Sequence, residues 1–163
     1  MRVFFDTNVF VYAFGGNDPR KQRTAHELIG RCLVDHEAVI STQVLVELTS
    51  ALLNRGVPAI APADVGGVIK RLSAFEVLET TTASILDAIE LMRREQLAWW
   101  DALIVESALR GGCEVMYSED LQHGRRYESM RVENPFRPAG ELNEPKASYR
   151  ASKRTPRRVR VGA

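Results

Sequence analysis

The sequence predicts an α/β fold: a central parallel sheet of four to five strands with helices on both faces, three layers in all. Three observations carry this. Short apolar runs alternate with longer segments of helical periodicity, as strand–helix–strand units require. The first run, Arg2-Val3-Phe4-Phe5, stops abruptly at Asp6, which sets an acid at the carboxyl end of the first strand. The chain has 163 residues, 45% of them hydrophobic, which is ordinary for a globular domain with a sizeable core.

Arg2–Asp6 reads as the first strand, and Asn8–Phe14 as one or two helical turns closed by Gly15-Gly16-Asn17-Asp18-Pro19. Arg20–Val34 has helical spacing, with Ala25, Leu28, Ile29 and Cys32 on one face. Ala38–Ile40 is a short strand. Ser41 and Thr42 offer an N-cap for a helix to Asn54, ended by Gly56 and Pro58. Pro62–Leu72 reads as a helix weakened by Gly66-Gly67, and Phe75–Leu78 as a third strand. Thr82–Arg94 and Asp101–Arg110 are amphipathic helices, the second stopped by Gly111-Gly112. Glu114–Tyr117 is a fourth strand and Met130–Val132 a fifth.

Charge divides the chain. From Lys146 onward there are seven basic residues and no acid. Residues 1–145 therefore hold fifteen basic and twenty-one acidic side chains, a net charge of −6. The expectation is one folded domain over 1–138 and a basic, disordered tail over 139–163. Cys32 and Cys113 are far apart without CxxC spacing, so neither a disulfide framework nor a zinc site is expected. Asp6 interrupts any signal-peptide core, and no run approaches a membrane span, so the expected location is the cytoplasm.

Four acids stand in unusual places. Glu47 shares a helix face with Val44, Leu48 and Ala51. Asp101 follows Trp99-Trp100 and aligns with Val105 and Ala108. Asp120, like Asp6, lies just past a strand. Singly each has an ordinary explanation: a stripe-edge Glu that reaches solvent, an N-cap aspartate, a polar loop. Together they share a topology, since all lie near strand ends that a parallel sheet brings to one edge. Two carboxylates about 4 Å apart repel by roughly 4 kcal/mol at an effective dielectric of 20. Several without a basic partner need a cation. With no His or Cys nearby the donors are hard oxygens, which favours Mg²⁺ or Mn²⁺ over Zn²⁺.

The motifs Phe5-Asp6-Thr7-Asn8 with Tyr12 downstream, Glu47 in the third helix, Trp100-Asp101-Ala102-Leu103-Ile104, and Tyr117-Ser118-Glu119-Asp120-Leu121-Gln122 resemble those of PIN-domain ribonucleases. The resemblance covers about Met1 to Phe136 and is nearest to VapC-type toxins of bacterial toxin–antitoxin pairs. It implies a PIN-like three-layer fold and an acidic centre of Asp6, Glu47, Asp101 and Asp120, supported through hydrogen bonds by Thr7, Asn8 and Ser118. It implies a cognate antitoxin that inhibits the nuclease, and homodimers or toxin–antitoxin hetero-oligomers. Gln122 departs from the pattern, because many members carry an acid there; the fourth corner then rests on Asp120, with Glu119 as a substitute.

The expected reaction is Mg²⁺- or Mn²⁺-assisted hydrolysis of RNA phosphodiester bonds, with Asp6 and Asp101 as principal ligands. Arg20, Lys21 and Arg23, and the pair Arg125-Arg126, are candidates to grip the RNA backbone; the bland reading of each is a solvated surface. Trp99 and Trp100 either stack on a base or pack around the Asp101 helix. Two other PIN readings stay open: a housekeeping nuclease without an antitoxin, and a non-catalytic module that binds nucleic acid or protein. A haloacid-dehalogenase-like phosphatase would need a second acid where Asn8 stands, and a receiver domain an acidic pair before its acceptor aspartate. His26, His36 and His123 are scattered and read as surface or helix residues.

Overall fold

A computed structural model describes residues 1–15, 17–35, 37–54 and 60–137. The expectations for Gly16, His36, Gly56, Pro58 and the tail 139–163 lie outside the described residues. The elements follow in the order β1 (Arg2–Phe5), α1 (Thr7–Gly15), α2 (Pro19–Asp35), β2 (Glu37–Ser41), α3 (Thr42–Asn54), a 3-10 turn (Pro62–Asp64), α4 (Val65–Leu72), β3 (Glu76–Leu78), α5 (Thr82–Glu95), α6 (Trp99–Arg110), β4 (Val115–Tyr117), β5 (Arg126–Tyr127) and β6 (Met130–Glu133).

The sheet order is β3-β2-β1-β4-β6-β5, with every pair parallel except β5–β6. The chain winds outward from β1 to β3, then crosses back to lay β4 on the other side of β1. Right-handed crossovers put α1–α4 on one face and α5–α6 on the opposite face. Strands covered on both sides must be apolar throughout. Val3, Phe4 and Phe5 of β1 and all three residues of β4 are buried accordingly.

Phe5 anchors the helical layer. Its ring stacks on Tyr117 at 5.6 Å and meets Phe10 of α1 and Phe75 edge-on at 5.8 and 6.2 Å. Phe5 and Phe10 are fully buried, each contributing roughly 1.5–3 kcal/mol by leaving water. These contacts fix where β1 ends, and so where Asp6 begins.

Three boundaries differ from the sequence expectation. The sheet has six strands, because Arg126–Tyr127 forms a hairpin with Met130–Glu133. The turn between them lacks the usual Asn-Gly signal; instead Glu128 adopts φ 52°. The expected Pro62–Leu72 helix is split into a 3-10 turn and α4, with Pro62 opening the turn. Helix α6 starts at Trp99, with Ala98 at its N-cap, so Asp101 is in the first turn and is not the cap. Gly112, at φ 65°, ends that helix in a conformation that costs glycine little.

Candidate active site

Ligands in open α/β sheets bind outside the carboxyl ends of the strands, where the winding direction reverses. Here the reversal lies between β1 and β4. Asp6 follows β1 directly, and Ser118 through Asp120 follow β4. Helix α3 leaves the end of β2 and carries Glu47 in its second turn. Helix α6 runs back toward the start of β4, which puts its first turn, and Asp101, at the same edge.

Asp6 is the best-held of the four. It is 8% exposed. Its Oδ2 accepts from Ser118 Oγ at 2.6 Å and from Asn8 Nδ2 at 2.8 Å, and its Oδ1 accepts from the Thr7 amide at 2.6 Å. The Ser118 bond bridges the reversal point from β4 to β1. Thr7 also donates its hydroxyl to Glu47 Oε2 at 2.8 Å, while Gln43 Nε2 donates to Glu47 Oε1 at 2.8 Å. Asn8 Nδ2 lies 3.4 Å from Asp120 Oδ2. Thr7, Asn8 and Ser118 thus each hydrogen-bond to one or more of these acids.

The electrostatics ties the acids together. Burial, then the charges of Asp120 and Glu47, push the Asp6 carboxyl up to about 7 against the hydrogen bonds that favour its ionised form. Burial, then Asp120 and Glu47, also raise Asp101 above the ordinary aspartate range. No Lys, Arg or His among the described residues forms an ion pair with Asp6, Glu47, Asp101 or Asp120. Among the described residues, like charge is gathered at one edge without a basic partner.

Among the described residues no three Asp, Glu, His or Cys side chains form a ready-made metal cage. Mg²⁺ does not demand one, since it keeps several waters and takes one or two carboxylates. The all-oxygen donor set and the unpaired charge fit such a cation.

The basic residues are placed unevenly. Arg126 is exposed, and Arg20, also exposed, reaches the Phe136 carbonyl at 3.3 Å. Lys21 is in an ion pair with Glu119 and donates to Tyr12 Oη at 2.9 Å. Glu119 is therefore engaged by Lys21. Arg125 is held by the Glu95 carbonyl at 2.7 Å and lies over the Tyr127 ring. One residue escaped the sequence reading. Gln43 reaches both Glu47 and the Trp100 carbonyl, the latter at 3.1 Å, and joins α3 to the start of α6; its i, i+4 spacing from Glu47 was the available signal. Trp100 is 61% exposed beside Asp101, so packing around the helix does not account for it.

The PIN domain family model matches residues 3–128, a span that contains all four acids. No curated protein matches the sequence. Solved structures share the fold. VapBC2 from Rickettsia felis, bound to a DNA fragment from its promoter, is 17% identical with a TM-score of 0.60 over 82% of this chain and 98% of that one. Mycobacterium tuberculosis VapC20, described as a Sarcin-Ricin-loop-cleaving toxin, is 22% identical with a TM-score of 0.56 over 72% of this chain and 89% of that one. A toxin–antitoxin complex from Klebsiella pneumoniae is 17% identical with a TM-score of 0.62 over 82% and 97%. The winding order, the acids at its reversal point and the match from β1 through the β5 hairpin agree: this chain belongs to the PIN domain family.

Proposed function

We propose that this protein is a divalent-metal-dependent ribonuclease, the toxin of a toxin–antitoxin pair. The observation that carries the reading is the uncompensated carboxylate set at the sheet edge, within a PIN domain. Asp6 and Asp101 would hold Mg²⁺ or Mn²⁺, with Glu47 and Asp120 completing the shell, partly through water. A cation held there would supply a bound water of lowered pKa and offset charge that develops on the phosphate. Thr7 and Gln43 fix the Glu47 carboxylate, which takes the proton from the attacking water as its oxygen bonds to phosphorus and the phosphodiester P–O bond breaks. Ser118 and Asn8 orient Asp6 by donating to it, and the Ser118 bond favours its ionised form against burial. Exposed Trp100 offers a stacking face for an unpaired base beside Asp101, and the exposed Arg20 and Arg126 would meet phosphates.

The partner reading rests on the structural neighbours, several of which are toxin–antitoxin complexes. We assign this chain a cognate antitoxin as inhibitor and a dimeric or hetero-oligomeric assembly. No helix among the described residues is long and apolar enough to cross a membrane; a cytoplasmic site of action completes the proposal.

The test is cleavage of single-stranded RNA by the wild type and by Asp6→Asn, with Mg²⁺ or with chelator. Cleavage by the wild type alone, and only with metal, is the expected result. Equal cleavage by Asp6→Asn ends the metal-centre assignment. RNA binding without cleavage, in every condition, selects the non-catalytic module instead.

A further inference from the structure

We propose that the Lys21–Glu119 ion pair is a brace that positions the Asp120 carboxylate at the acidic edge, so that Lys21 and Glu119 serve the reaction through Asp120 and do not touch RNA. The inference rests on the nuclease reading above and deepens it.

Asp120 is the least supported of the four acids. It is exposed, and among the described residues its carboxylate receives one long hydrogen bond, 3.4 Å from Asn8. Its position must come from the backbone of Ser118-Glu119-Asp120. One flank of that backbone is tied by Ser118, whose hydroxyl donates to Asp6 and accepts from the Asp120 amide at 3.2 Å. The other flank is tied by Glu119. Its amide donates to Asn8 Oδ1 at 3.3 Å, and its carboxylate turns away from the edge to Lys21.

Lys21 has little freedom to do anything else. Its side chain is 18% exposed and that of Glu119 22%. The ammonium donates to Tyr12 Oη at 2.9 Å and lies 4.4 Å from the Tyr12 ring centroid and 5.7 Å from that of Phe136. The two rings meet edge-on at 4.9 Å. One charge thus links α1, α2, the segment after β6 and the loop after β4. Removing either half of a largely buried pair leaves the other charge uncompensated, and the loop must shift to hydrate it. A shift of Glu119 is a shift of Asp120, one bond further along the chain.

The experiment uses the full chain as wild type, Lys21→Met, Glu119→Gln, Lys21→Arg and the exchanged pair Lys21→Glu/Glu119→Lys. Two readouts are taken: kcat and KM on single-stranded RNA over a salt series, and Mn²⁺ affinity by calorimetry without RNA. The brace predicts that Lys21→Met and Glu119→Gln each lower kcat about tenfold, since small displacements at a reacting centre are costly. KM and its salt dependence stay at wild-type values, and Mn²⁺ binds about tenfold more weakly, as when a ligand loses its support. Lys21→Arg and the exchanged pair recover most of both losses. A phosphate contact would behave otherwise: Lys21→Met would raise KM and reduce the salt slope by about 1, with Glu119→Gln harmless; that result overturns the brace. So does unchanged Mn²⁺ affinity across the series. Absence of cleavage by the wild type sinks the nuclease reading, and the Mn²⁺ affinities then judge the brace alone. Near-isosteric Glu119→Gln keeps the test usable where Lys21→Met fails to fold.

Discussion

Strand β1 has two ends that treat charge in opposite ways. At its amino end Arg2 is surrounded by acceptors: Glu37 Oε2 and Glu76 Oε1 at 2.8 Å each, and the Gly111 carbonyl at 2.7 Å. Glu76 and Glu37 hold its guanidinium even further above its ordinary pKa. One cation there stitches β1 to β2, β3 and the end of α6. At the carboxyl end Asp6 faces two further acids and, among the described residues, no paired cation, and its proton is held up to about 7. At the amino edge the Arg2 charge is met locally by two carboxylates. Among the described residues, the carboxyl edge gathers charge of one sign, with Asp120 and Glu47 both raising the Asp6 carboxyl. In the proposed reading, stability and function fall at opposite rims of one sheet.

The sharpest way to break this division is Asp101→Asn. In the functional reading it lowers RNA cleavage at least a hundredfold, the scale of losing one group that stabilises developing charge. In the metal-free protein it removes a half-buried like charge, so the melting temperature should rise. Lost activity together with lost stability would mean that Asp101 serves the fold and that the two rims are not distinct.

The next effect is a pH dependence. Asp6 binds its proton more tightly in the folded chain, up to about 7, than the ordinary 3.8 of an unfolded one. Between these values the native state holds a proton that the unfolded state has released, so the contribution of Asp6 falls as pH rises through this window. Without metal, the melting temperature of the wild type relative to Asp6→Asn should decline from about pH 4 to about pH 7. Mg²⁺ should restore it at the upper end. A flat difference with and without Mg²⁺ removes the electrostatic contrast.

At the opposite rim, Arg2→Met should cost about 1–2 kcal/mol, the sum expected for two partly exposed ion pairs and one hydrogen bond to a carbonyl. Denaturant titration measures it, and kcat should not move. The smallest effect is for Trp100→Ala. Loss of about 1 kcal/mol of base stacking raises KM near fivefold with kcat unchanged. An unaltered KM, with a changed molar mass in solution, would make Trp100 an assembly contact.

Much of this was legible in the chain itself. The alternation of apolar runs with helical periods gives a doubly covered parallel sheet, and from that the convergence of Asp6, Glu47, Asp101 and Asp120 near one edge follows without coordinates. The hairpin strand Arg126–Tyr127 was not legible, because two residues carry no periodicity and Glu128 is an unusual turn former. The start of α6 was misplaced because aspartate is so common as a cap, whereas here Ala98 is the cap and Asp101 is the third helical residue. The fates of Lys21 and Arg125 were the hardest to read. A basic residue's partner is set by tertiary contacts: Glu119 lies 98 positions from Lys21, and Glu95 lies 30 from Arg125. Sequence shows the charge and not what has already claimed it.

The bond from Ser118 to Asp6 spans 112 positions of the chain. It joins the sixth residue to one that a ribosome adds much later, and the β1–β4 pairing that carries it has the same long reach. Contacts of such separation close late, because the entropy of the intervening loop must be overcome first. β1 can dock early on β2, whose register begins at Arg2 opposite Glu37. The edge between β1 and β4 has no such shortcut. The acidic centre is therefore a product of completed folding: a truncated or half-folded chain can own Asp6, Glu47 and even Asp101 and still lack the side of the pocket that Ser118 and Asp120 close.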